Sequence, residues 1–412
     1  MLTSGPATAA REAGQRPALH VAALPFPTLQ GTQAAVAAMM DALAGEGREA
    51  HLLTYDGGTH EPDPTWTLHR SASPPGRDRL RSGPSLRKLA QDALLIPTLR
   101  RLHRELSPRA VVAHHVEAAA ACLTGRVRPV VFFAHTAMGP ELPVYGPSLL
   151  SGLLSRAGGR LDLGLCRRVQ AVAALSPSLR DLLAQQSGRE VDYVPVPWSV
   201  ARETESGERE AARRALGLAE DASVVLYAGN LDGYQGWELL VDAMGRVLVE
   251  RPRAVLLVGT ASDTAPLLRQ AIAAGVAARL RATPLGTESD RRALHAAADV
   301  AVVPRRVPGG LPVKLLDALA RGVPTVAAAR ATAGLSLGGA AMIAADDDDE
   351  ALANGILLAL SAPAAAREVA RRGRAYVAVE HHPRRFVEAM ERVTERAASH
   401  QAGGRPVTPG ER

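Results

Sequence analysis

The sequence predicts an α/β protein made of two doubly wound, parallel-sheet domains, and three observations carry that reading. Short apolar runs alternate with amphipathic, helix-length stretches from Leu19 onward, which is the rhythm of repeated strand–helix–strand units. Apolar residues make up 47% of the chain and aromatics only 3%. Most of the apolar fraction is therefore Ala, Val and Leu, the usage of buried parallel strands packed by small-residue helices. Finally, 412 residues exceed the roughly 250 to 300 at which single cores stop growing, so two domains of about 200 residues each are expected.

In chain order, LHVAAL (19–24), a helix over 32–46 and AHLLT (50–54) open the first domain. A basic, helix-like stretch over 85–106 precedes the strands AVVAH (110–114), PVVFFAH (129–135) and VQAVAALS (169–176), and VDYVPVPW (191–198) leads out of it. The boundary is set near Pro197, giving a first domain over 18–197 and a second over 198–378. Strands of the second domain are SVVLYAG (223–229), AVLLVG (254–259), ADVAVVP (298–304), PTVAA (324–328) and AMIA (341–344). Helical periodicity then runs from Asp349 to about Ala398, with a final helix over 379–399 long enough to lie back across the first domain. Residues 1–17 and 400–412 lack periodicity and read as frayed tails.

Several classes are disfavoured. Cys122 and Cys166 have neither paired spacing nor a CxxC, so no disulfide framework or structural zinc is supported. No run approaches the roughly 18 apolar residues of a membrane span, and the start lacks a signal-peptide core, so a cytoplasmic protein is expected. The net charge is +6, with ten Lys or Arg against five Asp or Glu over residues 61–110. The basic residues of 70–104, among them Arg77, Arg79, Arg81, Arg87, Lys88, Arg100, Arg101 and Arg104, suit either an anionic membrane surface or a solvated face. Nucleic acid is not expected, because aromatics are not interleaved with these charges.

In open parallel sheets, ligands bind outside the carboxyl ends of the strands, so the residues directly after each apolar run carry the chemistry. After LHVAAL comes PFPTLQGTQAAV, where Gly31 precedes a helix start with Thr32 as a cap; the glycine either admits a phosphate or sugar to the backbone or simply serves the turn. After PVVFFA comes His135 and a loop with Glu141 and Tyr145; the imidazole either meets a ligand hydroxyl or phosphate or is a satisfied half-buried histidine. The strongest signal comes after ADVAVVP. Arg305 ends the strand, Pro308, Gly309, Gly310 and Leu311 free backbone amides, and Lys314 lies in the first turn of the next helix. Amides, a helix N-terminus and two cations make a diphosphate site. Asp317, three residues on, shares the Lys314 face and can accept from ribose hydroxyls.

The segments LYAGNLDGYQGWELLVDAM, ADVAVVP and GGLPVKLLDALARGVPTVA resemble the carboxyl-terminal domain of family 4 retaining glycosyltransferases. HVAALPFPTLQGTQAAVAAMMDALAGEGREAHLLTY resembles their amino-terminal opening. The resemblance covers roughly residues 19–398 and implies a GT-B fold of two Rossmann-like domains facing a cleft. It also implies a nucleoside diphosphate sugar as donor, transfer with retention to an acceptor hydroxyl, and no required metal or other cofactor. Carried over residue by residue, it makes Gly31 a donor-contacting glycine, His135 the cleft histidine and Asp317 the ribose-binding acid. The family's Arg and Lys of the first loop fall here on Asn230 and Gln235, and the first of its paired acids falls on Gly309. Arg305 and Lys314 are expected to replace the missing cations, as in a subgroup with a GN-x-x-x-YQG loop and a PR…G-x-PxK segment, while Asn230 and Gln235 donate neutral hydrogen bonds to phosphate. Glu141 and one of His114 and His115, with His115 the candidate, are assigned to the acceptor side. An epimerase or hydrolase on the same fold, or an inactive scaffold, are the alternatives.

Three other features mislead. The acidic run Asp346–Glu350 suggests a metal but sits where a helix begins, as capping residues do. His114 and His115 are adjacent, so on an extended chain they point to opposite faces and at most one joins a given site. Gly229, Gly233 and Gly236 have the wrong gaps for a dinucleotide fingerprint.

Overall fold

The computed structural model describes residues 16–28, 31–58, 65–74, 86–205, 207–307 and 310–402. Two compact units divide the chain: Met1–Thr28 with Gln33–Pro197 and Pro383–Arg412, and Leu29–Thr32 with Trp198–His382.

The first unit contains β1 (Ala18–Pro25), α1 (Gly31–Gly45), β2 (Ala50–Tyr55), β3 (Thr67–Arg70), α2 (Leu86–Leu106), β4 (Ala110–His114) and α3 (His115–Gly125). It continues through β5 (Val130–Ala134), α4 (Met138–Glu141), α5 (Ser151–Cys166), β6 (Ala171–Ala174), α6 (Pro177–Ser187) and β7 (Asp192–Tyr193). The strands form one sheet in the order β3-β2-β1-β4-β5-β6-β7, all parallel. Every residue of β4, β5 and β6 is buried, which is why these strands read as unbroken apolar runs rather than as alternation.

The second unit contains α7 (Glu208–Ala215), β8 (Val224–Ala228), α8 (Trp237–Glu250), β9 (Val255–Thr260), α9 (Ala265–Ala273), β10 (Leu280–Pro284) and α10 (Glu288–Ala297). It ends with β11 (Val300–Val303), α11 (Val313–Ala320), β12 (Thr325–Ala328), β13 (Met342–Ala344), α12 (Asp349–Ser361) and α13 (Pro363–Glu380). Its parallel sheet is ordered β10-β9-β8-β11-β12-β13. In both sheets the winding direction reverses beside the first strand, between β1 and β4 and between β8 and β11. Helices leave opposite faces on either side of such a reversal, and the gap they leave at the strands' carboxyl ends is where a ligand fits.

The C-terminal helical stretch is three helices, because Pro363 and Pro383 each open a new one. Proline has no N–H to give to the preceding turn and is favoured at the first position of a helix. The helix expected from 379 therefore begins at Pro383, as α14 (Pro383–Ala402), and packs on β4, β5 and β6 of the first unit. Two strands escaped the sequence reading, β3 and β10. Both are sheet edges with partly exposed residues, so neither presents a buried apolar run. The acidic run behaves as a cap: the Asp348 side chain accepts from the Ala351 N–H at 2.9 Å, and Asp349 pairs with Arg246 at 2.6 Å.

One buried cation anchors the first helix of the second unit, α7, to its sheet. Arg213, 4% exposed, donates to the carbonyls of Glu220, Ala222 and Ala297 and, at 2.8 Å, to the carboxylate of Asp299. The same carboxylate oxygen accepts from the Val224 N–H at 2.7 Å, so α7, β8 and β11 share one junction. Arg213→Met leaves three carbonyls and a carboxylate short of a donor, and we expect a loss of about 3–5 kcal/mol in urea unfolding. A loss below about 1 kcal/mol would show that water replaces the guanidinium.

Candidate functional site

In the second unit, the loop between β8 and α8, GNLDGYQG, is laced to the end of β11. Gly236 has φ +70, and a Cβ there would lie 2.0 Å from the Pro304 carbonyl oxygen, so only glycine lets the loop approach. The Arg306 N–H donates to the Tyr234 carbonyl at 3.0 Å, and Trp237 Nε1 donates to the Leu231 carbonyl at 2.8 Å. The segment after β11 is thereby brought against the loop after β8, and these are the two strands at the reversal.

Lys314 stands at the centre of this junction. Its Nζ donates to the Tyr227 hydroxyl at 2.8 Å and lies 4.1 Å from the centre of that ring. The Tyr227 hydroxyl in turn donates to the Asn230 carbonyl at 2.5 Å. A Cβ at Gly229 would come within 2.8 Å of the ammonium, so a side chain there would push the lysine head aside. Although Lys314 as a whole is half-buried, its ammonium is enclosed, and among the described residues no carboxylate is in ion-pair contact with it. Burial, and then the nearby Arg305 guanidinium, bring its pKa down to about 7, with Asp232 opposing. A cation held this way favours an anion entering beside it.

Arg305 stacks over Tyr234, 5.6 Å from the ring centre, and its Nε donates to the Val307 carbonyl at 3.0 Å. Asn230 Nδ2 donates to Asp232 at 2.8 Å, while Asn230 Oδ1 and Gln235 Oε1 are buried with no hydrogen-bond partner among the described residues. Asp232 takes one of the two Asn230 Nδ2 hydrogens, and the unpaired oxygens of the two amides are acceptors suited to a hydroxyl. Gly310 adopts φ +71 and Leu311 is buried; Gly309 lies outside the described residues. Asp317 is committed elsewhere. Its carboxylate accepts from Arg321 at 2.9 Å and lies 3.6 Å from Arg291 and 3.8 Å from His295, tying α11 to α10.

The first unit gathers histidines at its own reversal. Ala22 of β1 pairs with His114 at the end of β4, so His20, two residues earlier, shares its face. His20 Nδ1 lies 2.9 Å from His114 Nε2, and His114 Nδ1 lies 2.9 Å from His135 Nε2, making a continuous row across β1, β4 and the end of β5. His115 joins it as well, its ring 4.7 Å from that of His135. Both neighbours therefore meet His135, contrary to the sequence expectation. The reason is that His115 has φ +68, where strand turns into helix, and strand alternation no longer applies. Glu141 is held beside them, accepting from the Thr136 hydroxyl and, at 3.2 Å, from the Tyr145 hydroxyl. Gly31 and Thr32 begin α1, and a Cβ at Gly31 would meet nothing closer than 3.8 Å. The structure thus collects Arg305, Lys314, Asn230 and Gln235 in one unit and His135, His115 and Glu141 in the other. Tyr227, Tyr234, His20 and His114 were not singled out from the sequence for these contacts. For Tyr227, His20 and His114 a hydroxyl or imidazole inside an otherwise apolar strand was the available signal.

With this geometry in place, comparison with known proteins defines the class. Residues 29–197 match the Glycosyltransferase Family 4 model and residues 222–362 match the Glycosyl transferases group 1 model. Each half of the chain thus matches a glycosyltransferase domain model, and the fold is GT-B. A D-inositol 3-phosphate glycosyltransferase of Geodermatophilus obscurus is 39% identical over 133 residues, spanning 30% of this chain and 29% of the relative's own length. Sucrose-phosphate synthase of Thermosynechococcus elongatus superposes with TM-score 0.77 at 18% identity, over 92% of this chain and 98% of that one. Anabaena HepE, solved in complex with UDP-glucose, gives 0.72 at 19% identity over 92% and 99%.

Two outcomes test the geometry. Gly236→Ala forces the loop off the Pro304 carbonyl, and we expect at least about 1 kcal/mol of lost stability; an unchanged melting profile contradicts the close approach. The buried histidines resist protonation, His20 down to about pH 3, with burial the first cause for each. Below the ordinary value of 6.5 the unfolded chain binds protons that the native chain refuses, so stability falls as pH drops from 6.5 toward 3. Each histidine contributes up to about 1.4 kcal/mol per pH unit. Urea midpoints that stay level between about pH 7 and about pH 5 would contradict a buried neutral row.

Proposed function

We propose that this protein transfers a sugar from a nucleoside diphosphate donor to an acceptor hydroxyl with retention of configuration. The single observation that carries the reading is the enclosed Lys314 ammonium, beside Arg305 and the N-terminus of α11, with no carboxylate partner among the described residues. Departure of a nucleoside diphosphate builds charge on its outer phosphate, and groups fixed in advance against that charge lower the barrier. Lys314 and Arg305 supply the cations, and the unpaired amide oxygens of Asn230 and Gln235 accept sugar or ribose hydroxyls. His135 orients the transferred sugar, and the Glu141 carboxylate with His115 positions the acceptor. HepE, of the same fold, binds UDP-glucose, which supports a nucleotide sugar as donor here. Retention rests on the family resemblance, and no metal is assigned a role.

The test is calorimetric titration with UDP, GDP, dTDP and ADP. Lys314→Met and Arg305→Ala should each weaken the preferred nucleotide roughly 10- to 100-fold, the loss of one charged hydrogen bond. Free Lys314 is largely neutral above pH 7, so binding a dianion there must draw in a proton. Affinity should therefore hold steady below pH 7 and fall as pH rises above it, with proton uptake visible as a buffer-dependent enthalpy. Unchanged affinity in the double variant removes the site; nucleotide binding with no transfer across a wide acceptor panel removes the enzyme. The anomeric configuration of the product, read by NMR, decides retention.

A further inference from the structure

One surface of the first unit is unlike the rest. The turn before α5 and the helix itself expose Leu149 (96%), Leu150 (47%), Leu153 (62%) and Leu161 (42%), although large apolar side chains are normally withdrawn. Arg156 and Arg160 are exposed on the same helix, and Arg167 and Arg168 directly after it. Positions 153, 156, 157, 160, 161, 164, 167 and 168 recur at helical spacing and share one face. The opposite face, Gly158, Asp162, Leu165 and Cys166, is buried. Asp162 is the sole acid of α5, and it is turned inward to accept from the Gly139 N–H at 3.2 Å. Among the described residues no carboxylate pairs with the four guanidinium groups.

The basic helix α2 differs in this respect. Lys88 pairs with Glu117 at 2.5 Å, Arg87 donates to the Pro74 carbonyl, Arg100 to the Gly125 carbonyl, and Arg101 pairs with Glu105 at 3.0 Å. Arg77, Arg79 and Arg81 lie outside the described residues. The charges of α2 are spent on the protein; those of α5 are not.

We propose that the α5 face lies on an anionic lipid bilayer, its leucines entering the boundary between headgroups and acyl chains while its arginines meet lipid phosphates. Charge complementarity selects this occupant. A second copy meeting the face across a two-fold axis would set arginines against arginines. A leucine and arginine face without acids is the composition that binds in the plane of an anionic interface. Among the described residues no helix is long and apolar enough to cross a membrane, so the contact is peripheral. The proposal stands apart from the donor chemistry and needs no nucleotide.

Co-sedimentation of the full chain with phosphatidylglycerol–phosphatidylcholine vesicles, against pure phosphatidylcholine, tests it. Binding to the anionic vesicles alone is expected, weakened roughly tenfold or more by Arg156→Glu with Arg160→Glu and likewise by Leu149→Ser with Leu153→Ser. Arg101→Glu on α2 should leave binding unchanged. All these positions are exposed, and circular dichroism checks that each variant folds. A chain that stays in the supernatant with anionic vesicles overturns the proposal, as do α5 variants that bind like the parent. A dimer in sedimentation velocity that Leu149→Ser dissociates, without vesicle binding, would assign the face to a second copy instead.

Discussion

An ammonium group enclosed beside a second cation, with no carboxylate against it among the described residues, is the constraint around which the second unit is arranged. Burying such a charge is expensive, and a phenol oxygen with an aromatic face offsets only part of the cost. The surroundings of Lys314 make sense in that light. Glycine at 229 leaves room for the ammonium, Tyr227 is buried to receive it, and glycine at 236 lets the loop close on the strand end. Each departs from what stability alone would select, and together they hold the Lys314 ammonium near the Arg305 guanidinium at the end of the sheet.

The placement of that pocket is set by winding order. Both sheets start in the middle and are extended first to one side and then to the other, so each has one reversal, and each unit's polar cluster sits at it. The two clusters are chemically unlike. The second unit offers cations and amide oxygens, while the first offers neutral imidazoles beside the carboxylates of Glu117 and Glu141. Such a split suits a reaction in which one partner carries a diphosphate and the other a hydroxyl.

Much of this was legible in the sequence. Strands buried on both faces announce themselves as apolar runs, and Arg305 and Lys314 stood out because they flank glycines after such a run. Less legible was anything decided by contacts between distant segments. Edge strands β3 and β10 are held by one neighbour each and carry no strong pattern. That one N–H of the Asn230 amide turns to a carboxylate depends on Asp232 standing beside it. Asp317 shares its helix with Lys314, yet α10 supplies it with Arg291 and His295, partners more than twenty residues earlier in the chain. The meeting of His114 and His115 at one ring depended on a single positive φ, which histidine adopts uncommonly.

The histidine row also has a direction. A chain of neutral imidazoles can run its N–H bonds either way, and the two ways differ only in what is left at the ends. His20 Nε2 is buried without a partner among the described residues. A stranded lone pair is better tolerated in a protein interior than a stranded N–H, so the proton of His20 belongs on Nδ1, pointing at His114. His114 then passes its own Nδ1 proton toward His135 Nε2, and His135 is left as the Nδ1–H tautomer. A residue in the middle of the first strand thereby decides which ring nitrogen His135 has left to offer, without coming near the molecule that would receive it.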